Sequence, residues 1–245
     1  MSQAWVENLK RAVYIAEKDI KIYFLKGPNL IFGLLLPVSL FISFSIGRTV
    51  DLTFAIPGLI AIAAFFGAGA IQAISLPLER RTGTFNLLLT APISLFAIVL
   101  GKALAGFIYG VILSLAYAVI MLPFSPLPNI FLFFVGILFC SFTFSTFGLL
   151  LSAPFRDIPQ AMPPATVVRI AMIFISGVFI PLATMPTYLQ VVAYVLPLTY
   201  SVDSLRQAMS GSINPQTFLI DLGAQVLFSL IFLAVTAWVL KKTTE

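Results

Sequence analysis

Charge disappears from long stretches of this chain. No residue between Lys26 and Arg48 is charged, none between Asp51 and Glu79, and none between Lys102 and Arg156. A helix that crosses a bilayer needs about 20 mostly apolar residues. The first two stretches therefore predict spans near 29–47 and 54–76. The third is too long for one helix, and LPFSPLPN (122–129), with its three prolines, divides it. The halves become spans near 95–122 and 129–152. Further apolar runs predict a fifth span near 162–182 and a sixth near 217–240. The uncharged run 82–101 is not read as a span, because Thr82, Gly83, Thr84, Asn86, Thr90, Pro92 and Ser94 make it too polar for lipid.

Between the fifth and sixth spans, Pro186 and Pro197 cut the apolar sequence into pieces too short to cross. A re-entrant or interfacial helical hairpin over 184–210 is the better prediction. Pro197 suits the first turn of its second helix, on which Asp203 and Arg206 are neighbours at i,i+3. Residues 1–26 carry a different pattern. Trp5, Leu9, Ala12, Val13, Ala16, Ile20, Tyr23 and Phe24 recur at helical spacing, opposite Glu7, Lys10, Arg11, Glu17, Lys18 and Lys21. That is an amphipathic helix lying on the membrane surface. The domain reading is an interfacial helix (1–26) followed by a six-span domain (27–245), an all-α integral membrane protein.

Composition agrees: 60% of the 245 residues are hydrophobic and only 9% are charged, against about 25% charged in soluble domains. The net charge of +5 is spread around the spans, not gathered into a patch that would bind nucleic acid, and reports orientation instead. Six spans place both termini on one side. With that side cytoplasmic, the inner set holds Lys10, Arg11, Lys18, Lys21, Lys26, Arg80, Arg81, Lys102, Arg156, Lys241 and Lys242, and the outer set only Arg48 and Arg206. The expected location is the plasma membrane of a prokaryote, with cytoplasmic termini. The first apolar run begins near Gly27, too late and too long for a signal peptide.

Candidate chemistry is defined by what is missing. The chain has no His and a single Cys, so neither an imidazole base nor a His- or thiolate-ligated metal centre is expected. GxxxxGK[ST] is absent: Gly101-Lys102-Ala103 has neither the upstream Gly nor the hydroxyl. No catalytic residue is assigned. A path across the membrane, driven by energy supplied elsewhere, fits what remains.

ERRTGTFNLLLTAPIS (79–94) interrupts the apolar pattern with Glu79, Arg80 and Arg81, then Thr82-Gly83-Thr84. Phe85, Leu88 and Leu89 fall at i, i+3, i+4, one apolar face on a short helix suited to a groove in a partner. This segment resembles the cytoplasmic motif of type-2 ATP-binding-cassette exporter permeases, the drug-resistance, nodulation-factor and polysaccharide exporters among them. The matching residues are Glu79, Arg80, Gly83-Thr84, Leu87-Leu88, Thr90, Pro92 and Gly101-Lys102. Ala91, inserted between Thr and Pro, and Asn86 depart from the pattern. A second block, 175–206, matches through Ser176-Gly177, Phe179, Pro181, Pro186, Pro197-Leu198-Thr199-Tyr200, Asp203 and Arg206, and Phe155-Arg156 matches the short loop before the fifth span.

The resemblance implies that 79–94 is a coupling helix, docking through Glu79, Arg80, Arg81, Thr82, Gly83, Thr84, Phe85, Leu88 and Leu89 on a separate ATPase subunit. Two ATPase copies, holding ATP and magnesium, would serve a homodimer of permeases; no cofactor is implied on this chain. The same resemblance makes Pro197, Tyr200, Asp203 and Arg206 part of an extracellular hairpin. It places spans one, two and five at the pathway, with Phe41, Phe44, Phe174 and Phe179 as lining. Arg169, the one charge well inside a span, is expected to face the inner vestibule. Gly106–Gly110 and Ala63/Gly67 are small-residue faces expected to pack helices within one subunit. With 24 Phe but two Trp and seven Tyr, the cargo reads as apolar or amphipathic, a drug or lipid. A polysaccharide or glycolipid exporter, or a non-transporting scaffold subunit, are the alternatives.

Overall fold

The computed structural model describes residues 2–24, 35, 37–39, 42–43, 52–125, 127–211 and 213–244, and every regular element among them is helical. The predicted first span lies outside the described residues except for positions 35, 37–39 and 42–43, which are helical. Phe41 and Phe44 are outside that set. Five helices are long and apolar enough to cross a membrane: α2 (Leu52–Arg81), α4 (Leu95–Met121), α5 (Ile130–Ser152), α6 (Ile158–Ile175) and α9 (Pro215–Thr244). Shorter helices are α1 (Ser2–Asp19, prolonged by a π turn at Ile20–Phe24), α3 (Thr84–Thr90), α7 (Thr187–Tyr194) and α8 (Pro197–Ser210).

The centre is α2, which packs against α4, α5, α6 and α8. Phe65 of α2 meets Phe144 of α5 with ring centroids 4.4 Å apart, and Ile56, Ile60, Tyr117, Ile137 and Cys140 are buried around them. Small residues let these helices approach. A Cβ on Gly106 would fall 2.4 Å from Ser145 Oγ and 2.7 Å from the Ala68 carbonyl oxygen, and one on Gly67 would meet Leu113 and Gly110. Both small-residue faces are thus used inside the chain. Where the backbones close, hydroxyls join them: Ser145 Oγ donates to the Ala103 carbonyl at 2.6 Å. Such bonds substitute for water in a lipid solvent.

At one end of the bundle, α8 lies against α9 through a polar seam. Thr217, Asp221, Gln225 and Ser229 recur every fourth residue along α9. They meet Gln207, Ser201 and Ser204 of α8 and Thr143 of α5. Gly211, at φ +73°, closes α8.

Several predicted boundaries shift. The second span reaches Arg81, because the helix carries on through Pro77. A proline removes one backbone donor but does not stop a helix that is packed on its flanks. Glu79, Arg80 and Arg81 accordingly close α2, and the separate helix is only Thr84–Thr90. The fifth span begins earlier than expected, because the Asp157 carboxylate accepts from the Ile158 N–H with Pro159 in the first turn. It also ends earlier, at the turn made by Gly177 (φ +78°).

The amphipathic helix is also placed differently. Its apolar residues do not form one lipid face. Ala12, Ile15, Ala16 and Tyr23 are buried, whereas Leu9 and Val13 are more than half exposed. The side chains of Trp5 and Phe24 lie outside the described set. The buried residues pack on α4, where a Cβ on Gly101 would stand 2.5 Å from the Ala12 carbonyl oxygen. One further residue shares the buried face, and it is charged: Asp19.

Candidate functional site

The end of α2 gathers the segments at the basic end of the bundle. Three consecutive charged residues leave it in three directions. Glu79 turns inward. Arg80 reaches the end of α5, donating from one guanidinium nitrogen to the carbonyls of Ala153 at 2.6 Å and Phe155 at 3.2 Å, and from the other to Thr243 Oγ1 of α9. Cations suit the exposed carbonyls that end a helix. Arg81 pairs with Asp157, the cap of α6, at 3.3 Å. That pair is exposed and contributes little stability.

Around Glu79 four charges alternate in sign. The Lys102 ammonium of α4 lies 2.7 Å from Glu79 and 3.0 Å from Asp19 of α1. Lys18 lies 2.5 Å from Glu79 and 3.1 Å from Asp19. The Lys102, Asp19 and Glu79 side chains are 1, 0 and 3% exposed. Burying charge carries a desolvation cost of several kcal/mol per ion, offset only when each has close partners of opposite sign. Here each carboxylate has two ammoniums, and the cluster is neutral. Burial pulls the Lys18 ammonium down, but Asp19 and Glu79 outweigh it and hold it above its usual range. Burial and the same two carboxylates push the Tyr23 phenol up. The cluster ties α1, α2 and α4 at one point.

From this knot the chain turns into α3. Gly83 sits at φ +77°, the left-handed region that costs glycine least. The threonines beside it do not cap α3. Instead they close α2: Thr82 Oγ1 donates to the Leu78 carbonyl at 2.9 Å and Thr84 Oγ1 to that of Glu79 at 3.3 Å. Nor do Phe85, Leu88 and Leu89 form one outward face. Phe85 is 1% exposed and packs with Leu76, Ile98 and Leu149, under the Arg80 guanidinium. Leu88 is half-buried. The outward apolar residues are Leu87, 69% exposed, and Leu89, between Asn86 and Thr90. A short helix is pinned by its first residues and shows its other face. Behind it, Arg11 of α1 donates to the Pro92 carbonyl.

The remaining predicted site residues lie elsewhere. Arg169 is 4% exposed and donates to the Gly69 carbonyl of α2 at 2.7 Å. It brackets α6 to α2 and does not open on a vestibule. Gly69 and Gly148 touch there, a Cβ on Gly148 falling 2.7 Å from the Gly69 backbone. Phe174, exposed near the end of α6, has its ring centroid 6.4 Å from that of Phe179, which lies beyond the Gly177 turn and packs partly buried against the core. At the far end, Pro197 starts α8, and the Tyr200 hydroxyl donates to the Tyr194 carbonyl at 2.6 Å, closing the α7–α8 hairpin. Asp203 accepts from Gln207. Arg206 turns away from Asp203: its guanidinium lies 3.8 Å from the Phe54 ring centroid and donates to the Gly177 carbonyl at 3.1 Å.

Asp19 was not singled out from the sequence, and Lys102 was named only within the Gly101-Lys102 motif and the inner charge set, not as a partner of Glu79. The available signals were an acidic residue in register with Ala12 and Ala16, and a lysine at the head of an apolar helix. No group of three or more metal-ligating side chains occurs among the described residues.

The profile of the ABC-2 type transporter family matches residues 18–210. The chain belongs to that family. Its matched segment runs from the buried cluster, which starts at Lys18, to the end of the α7–α8 hairpin. Among curated relatives of this ABC-2 chain, one from Escherichia coli K12, named probable multidrug ABC transporter permease YbhR, is 27% identical over 159 residues. That match covers 63% of the present chain and 43% of the relative. A Cyanophora paradoxa protein, named putative transport permease ycf38, is 29% identical over 168 residues, 66% of this chain and 57% of that one. The chain spans about half the length of the curated relatives it matches.

Proposed function

We propose that this ABC-2 chain is the membrane-spanning permease subunit of an ATP-driven exporter, paired as a homodimer and docked on two ATPase subunits that hold ATP and magnesium. The observation that carries the reading is α3. It shows Leu87 and Leu89 to solvent while its base is fixed to α1, α2 and α4 by the buried charge cluster and to α5, α6 and α9 through Arg80 and Arg81. A force applied to α3 passes through the Gly83 turn and the buried Phe85 to the end of α2, which is tied to five further helices. That is what a subunit without its own phosphate loop needs if ATP is hydrolysed elsewhere. In this reading Glu79 positions the coupling helix from beneath, and the docking contacts come from Leu87, Leu89, Asn86 and Thr90. The basic end faces the cytoplasm, with six spans in all, the first near 29–47, and α7–α8 re-entrant from the outer side.

Cargo moves outward between two copies, past the apolar side of α6 that carries Val167, Ile170 and Phe174, all exposed. An apolar or amphipathic molecule suits that surface. The name of the Escherichia coli relative, a multidrug permease, supports the same class. The test is capture of the ATPase subunit by the full-length permease in detergent. Leu87→Asp places a charge in an apolar dock and should abolish capture while the permease stays folded in the membrane. Undiminished capture by that variant would exclude α3 as the docking element.

A further inference from the structure

Beside α3 lies a cleft of about 240 Å³, lined by Arg80, Phe85, Asn86, Leu89, Arg156 and Thr243. Two guanidiniums converge on it from different elements. Arg80 is fixed by the Ala153 and Phe155 carbonyls and Thr243 Oγ1. Arg156 is exposed and donates to the Thr243 carbonyl at 3.2 Å. Every acceptor they use is neutral. Among the described residues neither forms an ion pair: Glu79, beside Arg80 in sequence, is held by Lys18 and Lys102, and Asp157, beside Arg156, is held by Arg81. The cleft therefore holds two positive charges, several donors and, among the described residues, no compensating anion.

We infer that this cleft receives a carboxylate side chain of the ATPase subunit, next to the apolar contact made by Leu87 and Leu89. The inference rests on the docking role of α3. Guanidinium groups present paired N–H donors that match a carboxylate, and such bonds are stronger than neutral ones. Asn86 and Leu89 belong both to the cleft wall and to the exposed side of α3. A body that covers α3 thus covers the mouth of the cleft and removes water from it. A carboxylate there fixes register, which two leucines alone cannot do. A lipid phosphate is the competing anion, but it offers nothing to cover α3.

Arg156 is the residue to change, since Arg80 also holds α2 to α5 and α9. The affinity of the full-length permease for its ATPase subunit should fall by about thirtyfold or more in Arg156→Glu, as expected when one charge of a desolvated pair is lost and reversed. Lys21→Glu, a reversal on the exposed side of α1, should leave affinity unchanged. Salt should weaken the unmodified complex toward the level of the Arg156→Glu complex and weaken that variant less. In Arg156→Lys, a carbodiimide should join the new amine to a carboxylate of the ATPase subunit as an amide with loss of water, located by mass spectrometry. Three results overturn the proposal: unchanged affinity in Arg156→Glu; a cross-link from position 156 to this chain's own Glu245; or loss of bound acidic phospholipid with ATPase affinity intact. Leu87→Asp separates the two levels. If it abolishes capture while Arg156→Glu does nothing, α3 docks and the cleft does not; if it captures normally, the docking reading itself fails.

Discussion

Lys102 and Asp19, eighty-three residues apart, face each other across 3.0 Å with both side chains closed off from solvent. Neither can exchange its partner for water, so their value to the fold is conditional on each other. Lys102→Met leaves Asp19 and Glu79 sharing only Lys18. Removing one member of a buried pair costs about 3–5 kcal/mol, and the melting temperature in detergent should fall accordingly. Adding Asp19→Asn removes the stranded charge, leaving Lys18 and Glu79 as a neutral pair. The double variant should therefore be more stable than Lys102→Met alone. Strict additivity in this cycle would mean that the two residues do not interact.

Lys18 adds a pH dependence whose sign is fixed. Its folded-state pKa is raised above the ordinary 10.5, so its stabilisation is fully present below pH 10.5. It is lost as pH rises through the higher folded value. Lys18→Gln should thus melt below the unmodified chain at pH 8, with a gap constant up to about pH 10 that narrows beyond. A gap that closes between pH 6 and 8 would place the titrating group elsewhere.

How much of this was legible follows from where the information lies. Helices α4 and α5 were readable almost to the residue, since Asn129 and the proline run before it punctuate an otherwise uniform apolar sequence. Helix α6 was misplaced because Ser176-Gly177 ends it within an apolar run, and hydropathy does not register a turn made of small residues. Residues 79–94 stood out by composition, but the direction of each side chain did not. Which of Phe85, Leu87, Leu88 and Leu89 points inward depends on how α3 leaves Gly83. The buried cluster was least visible, because Asp19, Glu79 and Lys102 come from three separated segments and each alone resembles a membrane-surface charge.

Arg206 offers a test of geometry over charge. Lysine keeps the charge but cannot both lie over the Phe54 ring and donate to Gly177 as the guanidinium does. Loss of a cation–π contact of this kind costs about 0.5–2 kcal/mol. Arg206→Lys should lower the melting temperature nearly as much as Arg206→Ala. A lysine variant as stable as the original would reduce the role of Arg206 to its charge alone.

The orientation of the bundle can be read with thiols. Cys140 is buried, so Cys140→Ser gives a background without reactive sulfur. Ser94, beside the coupling helix, and Ser210, at the end of α8, are both exposed and accept cysteine readily. Ser125 is buried, and the neighbouring Phe124, 61% exposed, is the better reporter for the α4–α5 turn. With the basic end inside, an impermeant maleimide added to intact cells should label positions 124 and 210, and position 94 only after permeabilisation. The spans force this pattern: one crossing, α4, separates 94 from 124, while α5 and α6 return the chain to the side of 124 before 210. Labelling of 94 and 124 from the same side would mean that α4 does not cross. Labelling of 94 alone in intact cells would invert the bundle and put α3 out of reach of any cytoplasmic ATPase.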